Sequence, residues 1–169
     1  MKVILYMTIS IDGYICKKDG SVDYTLGGTW NSYFEFCKKN RNLIIGKNTY
    51  NIMPPDEFIN ECLYVVMTKF APKQPKIKNI IFTDKSPIEV IKLLCDKGYK
   101  NICVGGGGMI NSSFLNDGII DEIILDIQPV ILGEGIKIFP NTKIQNNLKL
   151  IETKQLSEQE IQLRYRVKK

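Results

Sequence analysis

Two kinds of apolar pattern alternate along the chain and predict strands followed by helices. Continuous β-branched apolar runs, typical of buried strands, lie at 3–9, 43–45, 63–67, 77–82, 101–104 and 119–128. Between them, apolar residues recur at helical spacing over 30–39, 47–53, 86–97 and 109–117. This order predicts an α/β fold with a mixed, mostly parallel central sheet and helices on both of its faces.

The C-terminal region carries a different pattern. Apolar and polar residues alternate over 148–150 and again over 161–167, which predicts a C-terminal antiparallel hairpin with one face in water. No internal repeat, low-complexity tract or linker interrupts the chain. We therefore predict a single domain over residues 1–169.

The ends of two helices can be predicted from side chains that bind free backbone groups. Ser86 followed by Glu89 has the spacing of a capping box, and Gly98 is a natural left-handed stop for the same helix. For the helix over 30–39, Asn31 or Ser32 is the predicted N-terminal cap.

Composition excludes several classes of protein. No window holds the roughly 20 apolar residues that span a bilayer, and the first apolar run is too short for a signal peptide, so we expect a cytoplasmic protein. The five cysteines include no Cys-x-x-Cys pair, and histidine is absent. We therefore predict no disulfide framework, no His-based triad and no metal site.

The charge pattern favours small anionic ligands over nucleic acid. The net charge is +5, and Lys accounts for 20 of the 23 basic residues. These lysines are scattered, whereas nucleic-acid binders more often cluster Arg among aromatic residues. We predict no nucleic-acid partner, although a mildly basic surface attracts nucleotides.

The run Gly105–Gly108 is the strongest chemical signal. It lies between a predicted strand and a predicted helix, where free N–H groups and the helix dipole favour a phosphate. The alternative is a tight strand–helix turn with no ligand. The run lacks the Gly-Lys-Ser/Thr of a Walker loop, and Ile110 stands where a Rossmann fingerprint needs its third glycine.

Two further segments offer cations beside strand ends. Gly46-Lys47-Asn48-Thr49 is a second strand–glycine–helix junction, and Thr68-Lys69 follows the strand over 63–67. Separated anion sites suit a dinucleotide, which carries a pyrophosphate and, in NADPH, a 2′-phosphate as well. The alternatives are a capped helix and solvated surface lysines.

Asp12 is the candidate catalytic residue. It lies in the loop that leaves the first strand, where a carboxylate could donate a proton or anchor the substrate. The alternative is a turn, because Asp-Gly is a common turn pair. If Asp12 is catalytic, Asp12→Asn cuts turnover strongly and leaves NADPH affinity nearly unchanged.

Four motifs in this order resemble those of the dihydrofolate-reductase-like superfamily. They are Thr8-Ile-Ser-Ile-Asp-Gly13, Gly46-Lys-Asn-Thr-Tyr50, Val104-Gly-Gly-Gly-Gly-Met-Ile110, and Ile120-Asp-Glu followed by Pro129-Val-Ile-Leu-Gly-Glu-Gly135 and Phe139. They are most similar to the branch containing the C-terminal reductase domain of bifunctional riboflavin-biosynthesis proteins and its stand-alone relatives. The similarity covers nearly the whole chain.

The resemblance implies that NADPH lies across the carboxyl edge of the sheet. It implies that the Gly-rich turn meets the pyrophosphate, that Lys47 and Thr49 hold phosphate, and that Thr68 and Lys69 meet the 2′-phosphate. The backbone of Met7 and Thr8 would contact the nicotinamide carboxamide. The expected cofactor-binding residues are Met7, Thr8, Gly46, Lys47, Asn48, Thr49, Thr68, Lys69, Gly105, Gly106, Gly107, Gly108, Met109 and Ile110.

The expected activity is hydride transfer from NADPH to a C=N or C=O carbon of a small substrate. That substrate would be a heterocycle or a ribosylamino-pyrimidine, as in a 5-amino-6-(5-phosphoribosylamino)uracil reductase or a dihydrofolate reductase. The candidate substrate-binding residues are Ser10, Tyr14, Trp30, Tyr33, Leu132 and Gly133. The resemblance also implies a homodimer.

Departures from the family pattern limit this expectation. Lys47 stands where the family usually has Arg, which replaces a bidentate phosphate clamp with a point charge. The stretch 31–34 offers no carboxylate of the kind that folate reductases carry, so folate is a poor candidate. A non-catalytic NADP-binding or sensor protein is the alternative function.

Overall fold

The computed structural model describes residues 1–168, and its elements follow the predicted order. The strands are β1 (Lys2–Ser10), β2 (Tyr14–Cys16), β3 (Asn42–Gly46), β4 (Leu63–Met67), β5 (Ile80–Thr83), β6 (Asn101–Val104), β7 (Glu122–Gln128), β8 (Ile136–Lys137), β9 (Leu148–Gln155) and β10 (Ile161–Val167). The helices are α1 (Gly27–Asn40), α2 (Lys47–Ile52), α3 (Pro87–Asp96) and α4 (Gly108–Asn116), with a 3₁₀ turn at Pro55–Glu57.

Eight of the strands form one sheet in the order β5-β4-β3-β6-β1-β7-β10-β9, and β2 pairs with β8 in a separate ribbon. Strands β1 and β3 to β7 run parallel to one another, whereas β10 is antiparallel to both β7 and β9. The prediction of a mixed, mostly parallel sheet with a C-terminal antiparallel hairpin is therefore confirmed.

Helices cover both faces of this sheet because most central strands are apolar on both sides. On one face, Leu5 and Ile44 pack with Leu94 of α3 and Phe114 of α4. On the other face, Ile45 and Val66 pack with Cys37 of α1 and Tyr50 of α2. None of the helices within residues 1–168 has the length and apolar character needed to cross a membrane.

The start of α1 differs from the prediction. The helix begins at Gly27, so the predicted caps Asn31 and Ser32 lie inside it, and Leu26 supplies no side-chain cap. The distant carboxylate of Glu160 accepts the amide protons of Gly28 at 3.0 Å and Thr29 at 2.8 Å. A cap from far along the chain leaves no local sequence signal.

The predicted end signals of α3 are confirmed. Ser86 and Glu89 form a complete capping box, and Gly98 takes a positive φ of 88° just beyond the helix. Two strand starts were set too early, because β5 begins at Ile80 and β7 at Glu122. Ile120 is buried in the core without pairing in the sheet, which explains why its apolar character suggested a longer strand.

A topological switch point lies between β3 and β6. These strands are neighbours, with Ile44 opposite Val104. The helices that follow them, α2 and α4, pack on opposite faces of the sheet. Open α/β sheets form a ligand crevice where strand connections diverge in this way, so the fold itself directs attention to the turns after β3 and β6.

Candidate functional site

A cleft at the carboxyl ends of β1, β3 and β6 consists of two connected cavities. We call the larger one, about 600 Å³, the groove, and the smaller one, about 160 Å³, the chamber. Ile15, Cys16, Thr49, Ile52 and Gly107 line both, so the two form one continuous cleft. The groove falls in the range of about 300–1,000 Å³ typical of cofactor sites, whereas a cavity of about 150 Å³ holds a benzene-sized ring.

Most of the predicted cofactor-binding residues border this cleft. Gly46, Lys47, Asn48, Gly108, Met109 and Ile110 line the groove, and Met7, Thr8 and Gly105 line the chamber. Thr49 and Gly107 line both cavities. The structure therefore brings the motifs after β1, β3 and β6 together, as the parallel sheet requires.

The four glycines of the Gly-rich turn have different environments. A Cβ on Gly105 would lie 2.9 Å from the Leu43 side chain, and one on Gly108 would lie 2.5 Å from the Lys137 carbonyl oxygen. A Cβ on Gly107 would meet only the Thr49 hydroxyl at 3.4 Å and Ile15 at 3.6 Å. Tight packing thus explains Gly105 and Gly108, whereas Gly107 keeps the cleft open.

Gly106 does not line the cleft but fixes the turn against β3. It takes a positive φ of 91°, and its carbonyl accepts the Gly46 amide proton at 2.7 Å. A Cβ there would lie 2.8 Å from Met7 Sδ. Gly106 therefore ties the two glycine-bearing turns to each other and to β1.

Lys47 is exposed at the mouth of the groove, with Nζ 5.6 Å from the centre of the Phe70 ring. Thr68 and Lys69 lie just beyond it, outside the residues that line the groove. The Thr68 hydroxyl accepts the Phe70 amide proton at 3.1 Å, so it shapes the turn that carries Phe70.

Asp12 lies in the loop that leaves β1, as predicted, but it is not among the residues that line the chamber. Its carboxylate accepts hydrogen bonds from the Ser10 hydroxyl at 2.6 Å and from the amides of Leu132 at 3.1 Å and Gly133 at 2.7 Å. These bonds, led by the one from Ser10, hold the pKa of Asp12 below its ordinary value. The carboxylate is exposed, lies outside the chamber lining and anchors one loop on another, and its catalytic role stays a prediction.

Four of the predicted substrate-binding residues belong to this loop anchor. Ser10 accepts the Tyr14 amide proton at 3.0 Å, and the Tyr14 hydroxyl lies 3.3 Å from the Gly133 carbonyl oxygen. None of Ser10, Tyr14, Leu132 and Gly133 is among the described residues that line the chamber or the groove. These residues join the loop after β1 to the loop after β7, and we call this pair of loops the rim.

The other two, Trp30 and Tyr33, do line the chamber. Their rings meet edge to face at 6.2 Å, and Tyr33 also contacts Tyr6 at 6.4 Å. Seven further residues of the chamber were not predicted from the sequence: Tyr6, Ile15, Cys16, Val22, Thr25, Thr29 and Ile52. The spacing of Trp30 and Tyr33 places them on one helix, which the sequence shows. Which strand residues lie opposite that helix cannot be predicted from the sequence alone.

A layer of buried polar side chains lies between α1 and the sheet behind the chamber. The Tyr6 hydroxyl donates a hydrogen bond to Asp126 Oδ2, and Gln162 Nε2 donates to Asp126 Oδ1 at 2.7 Å. Burial raises the pKa of Asp126 above its ordinary value, against these hydrogen bonds.

A second part of this layer holds the beginning of α1. Gln128 Nε2 donates to the Thr29 hydroxyl at 2.6 Å and to Glu160 Oε1 at 3.1 Å. Thr29 lines the chamber, so Glu160 and Gln128 position one of its walls.

These features place the molecule among open α/β proteins with a ligand crevice at the switch point of the sheet. The profile of the RibD C-terminal domain family matches residues 1–161, so the chain belongs to that family. The resemblance inferred from the sequence motifs is therefore confirmed.

Individual relatives agree with this assignment. The chain is 30% identical over 171 residues to the uncharacterized protein YwjB of Bacillus subtilis (strain 168), covering 97% of each. A candidate riboflavin biosynthesis protein of Shewanella sp. PV-4 superposes with a TM-score of 0.85 at 21% identity over 100% of both chains. The diaminohydroxyphosphoribosylaminopyrimidine deaminase/5-amino-6-(5-phosphoribosylamino)uracil reductase of Thermotoga maritima gives 0.77 at 16% identity, over 98% of this chain and 56% of that one. At these identities the two structures show the fold alone.

Proposed function

We propose that the protein is an NADPH-dependent reductase of a small heterocyclic substrate. The observation that carries the proposal is the continuity of the cleft: a groove beside the Gly-rich turn opens directly into a chamber lined by Tyr6, Trp30 and Tyr33. A cofactor in the groove would extend its nicotinamide end toward the chamber. Membership of a family of reductase domains supports the same conclusion.

The residues of the groove fit a dinucleotide phosphate. A Cβ on Gly107 would enter the cleft and contact the Thr49 hydroxyl, so the glycine leaves this space free for a ligand. α4 begins directly after Gly107, so its free amides favour an anion there. Lys47 would supply the cation and the preference for NADPH over NADH, with Thr68 and Lys69 beside it at the mouth.

The chamber would hold the reducible ring of the substrate. Its volume of about 160 Å³ suits one ring. The aromatic side chains of Trp30 and Tyr33 in its wall would pack favourably against a planar molecule. When bound, NADPH supplies the hydride. The protein's own part is to hold two rings against each other and to exclude water, which can account for roughly 7–11 kcal/mol of a barrier.

The relative from Thermotoga suggests one substrate to test, 5-amino-6-(5-phosphoribosylamino)uracil. Its ring would occupy the chamber, and its phosphate would reach toward the groove, where Lys18 and Lys47 lie. The same compound without its phosphate tests this placement. A loss of at least tenfold in kcat/KM without the phosphate is expected if a lysine binds it.

Titration calorimetry with NADPH and NADH, followed by NADPH oxidation over pyrimidines, pterins and flavins, tests the proposal. We expect micromolar NADPH binding, weaker NADH binding and turnover with at least one ring system. Binding without any turnover would favour the non-catalytic sensor, and no heat with NADPH would refute both. Light scattering tests the homodimer that the resemblance implies.

A further inference from the structure

Reduction of a C=N or C=O bond needs a proton as well as a hydride. We propose that the Tyr6 hydroxyl delivers this proton to the substrate and that Asp126 resupplies it from behind. The inference rests on the proposed reductase function and adds the acid–base residues of its site. It replaces Asp12, whose carboxylate lies outside the chamber.

The register of the sheet aims Tyr6 at the chamber. Tyr6 lies opposite Ile124, whereas Asp126 lies opposite Thr8, two residues closer to the carboxyl end of β1. The Tyr6 hydroxyl reaches Asp126, so it leans along β1 toward the end where the chamber opens. The ring is fixed by stacking on Phe36, with centroids 4.6 Å apart.

Tyr6 is the chamber residue with an acid directly behind it. Tyr33 and Cys16 also line the chamber and can carry a proton. The Tyr33 hydroxyl lies 3.4 Å from the Tyr64 hydroxyl of β4 rather than from a carboxyl group. The hydrogen-bond partner of the Cys16 thiol is the Ile136 backbone rather than a carboxyl group.

A polar path joins Asp126 to solvent away from the cleft. Gln162 Nε2 bridges Asp126 Oδ1 at 2.7 Å and the Ser32 hydroxyl at 2.8 Å. Tyr6, Ser32 and Gln162 also line a second, polar surface groove between α1 and the C-terminal hairpin. The Ser32 hydroxyl also interacts with Asp126 and lines this outer groove, so it can pass a proton from water to the carboxylate while the chamber is filled by its ligands.

The surroundings of Asp126 favour its protonated form. Burial raises its pKa, and the negative charge of nearby Glu160 acts in the same direction. On the chamber side, Tyr33 and Cys37 of α1 lie around the Tyr6 ring. Cys16 also lines the chamber. Glu35, Lys39, Glu152, Lys154 and Arg164 line the outer groove and set the potential at the solvent end.

The step balances as follows. The substrate carbon gains the hydride and its two electrons from NADPH, and the π pair of the C=N or C=O bond moves to the heteroatom. With Asp126 protonated, its Oδ2–H donates to the Tyr6 oxygen across the same contact, and the Tyr6 O–H, turned toward the substrate, breaks as a new N–H or O–H bond forms on that heteroatom. The Asp126 O–H bond breaks as the Tyr6 O–H bond reforms, and the Asp126 carboxylate then takes a proton from water through the outer groove.

Tyr6→Phe and Asp126→Asn test the relay, with Tyr64→Phe as a control that removes a buried tyrosine hydroxyl elsewhere. Using 5-amino-6-(5-phosphoribosylamino)uracil or the best substrate of the panel, we expect kcat to fall about 100-fold in Tyr6→Phe, since general acids contribute roughly 10²–10⁴. NADPH Kd should change less than twofold. Tyr64→Phe should keep kcat within about twofold.

The pH profile separates a relay from a structural role. The relay can deliver a proton only when Asp126 is protonated, so kcat should fall as pH rises through the raised pKa of Asp126. This decrease in kcat should be absent from the pH profile of Asp126→Asn. Wild-type kcat in Tyr6→Phe, or an unchanged pH profile in Asp126→Asn, overturns the inference. If Tyr6→Phe does not fold, the profile of Asp126→Asn decides alone.

A readout without turnover keeps this inference distinct from the proposed function. Infrared difference spectra of wild type against Asp126→Asn should show a carboxyl that is still protonated at a pH above 3.8, the ordinary pKa of Asp. A fully ionised Asp126 at that pH overturns the relay even if the reductase function is correct. Absence of NADPH oxidation with the carboxyl still protonated counts against the reductase function instead.

Discussion

The groove and the chamber are two ends of one cleft, but different parts of the protein chain form them. The groove is bordered mainly by the backbone turns after β3 and β6, with exposed Lys47 at its mouth and with β2 and the turn after it on another wall. The chamber is bordered by side chains from β1 and α1, and behind it lie buried partners from β7 and β10. One end depends on local turns and the other on contacts between distant strands.

This difference predicts different responses to substitution. At the groove, changes that leave the turn intact should alter cofactor affinity and little else. Behind the chamber, a side chain such as Glu160 or Asp126 holds both the fold and a wall of the site, so its loss should affect stability and turnover together. The following experiments test this contrast, beginning with the largest expected effect.

Gly108→Ala and Gly107→Ala form a matched pair in the Gly-rich turn. A Cβ added at Gly108 would stand 2.5 Å from the Lys137 carbonyl oxygen, so we expect a loss of about 3 kcal/mol in unfolding free energy. Gly107 has a φ of −71°, and a Cβ added there would make ordinary contacts, so stability should change by less than about 1 kcal/mol.

The two variants separate packing from ligand binding. Gly107→Ala should bind NADPH about tenfold more weakly, a change of about 1.4 kcal/mol, because the methyl group enters the cleft. Urea unfolding and calorimetry check both values. Wild-type NADPH affinity in a folded Gly107→Ala variant would remove the Gly-rich turn from the cofactor site.

Glu160→Gln tests the chamber end. It weakens hydrogen bonds from the Gly28 and Thr29 amides, so we expect unfolding free energy to fall by about 2 kcal/mol at neutral pH. Burial opposes ionisation of Glu160, but bonds from Ser157, Gln128 and Thr29 outweigh it and hold its pKa below the ordinary 4.5.

The sign of the pH dependence follows from that lowered pKa. The stabilisation by Glu160 is present above about pH 4.5 and is lost as pH falls through the folded-state pKa. The difference between wild type and Glu160→Gln should therefore shrink in acid. A difference that stays constant down to about pH 3 would show that the carboxylate charge is not what holds the start of α1.

Lys47→Ala should weaken NADPH binding about five- to tenfold and NADH binding less, because an exposed lysine acts on the phosphate as a screened point charge. Lys47→Arg is the matched variant that keeps the charge and adds a bidentate donor, so it should bind NADPH at least as tightly as wild type. Calorimetry at two salt concentrations measures both. Equal losses for NADPH and NADH in Lys47→Ala would place Lys47 away from the 2′-phosphate.

The same contrast between groove and chamber explains which parts of the site could be predicted from the sequence. The Gly-rich turn and Gly46-Lys47 are contiguous, and parallel strands bring their carboxyl ends together, so the groove could be predicted. Tyr6 and Asp126 are 120 positions apart and meet only through the β1–β7 register. Asp126 is flanked by apolar residues of a strand and gives no local sign of a polar partner. Glu160, 131 positions from Thr29, escapes prediction for the same reason.

Asp126→Asn should change the pH dependence of stability in the direction opposite to Glu160→Gln. The folded protein holds the Asp126 proton above the ordinary pKa of 3.8, and the unfolded chain releases it there. Wild-type stability should therefore fall as pH rises from about 3.8 through the folded-state pKa, and this slope should be absent from the variant. Urea unfolding at several pH values measures it, and identical slopes would contradict a buried, protonated Asp126.

Asp12→Asn should have the smallest effect on turnover, in contrast to the strong loss expected from its position in the sequence. Its carboxylate holds the Leu132 and Gly133 amides at the rim and does not line the chamber. We expect kcat within about threefold of wild type, and a modest rise in KM as the rim loosens, because a neutral amide oxygen still accepts one of these bonds. Steady-state measurements of kcat and KM for Asp12→Asn and Asp126→Asn under the same conditions give the comparison. A loss of kcat of about 100-fold in Asp12→Asn, with Asp126→Asn near wild type, would return the proton donor to the rim and reverse the roles assigned to the two aspartates.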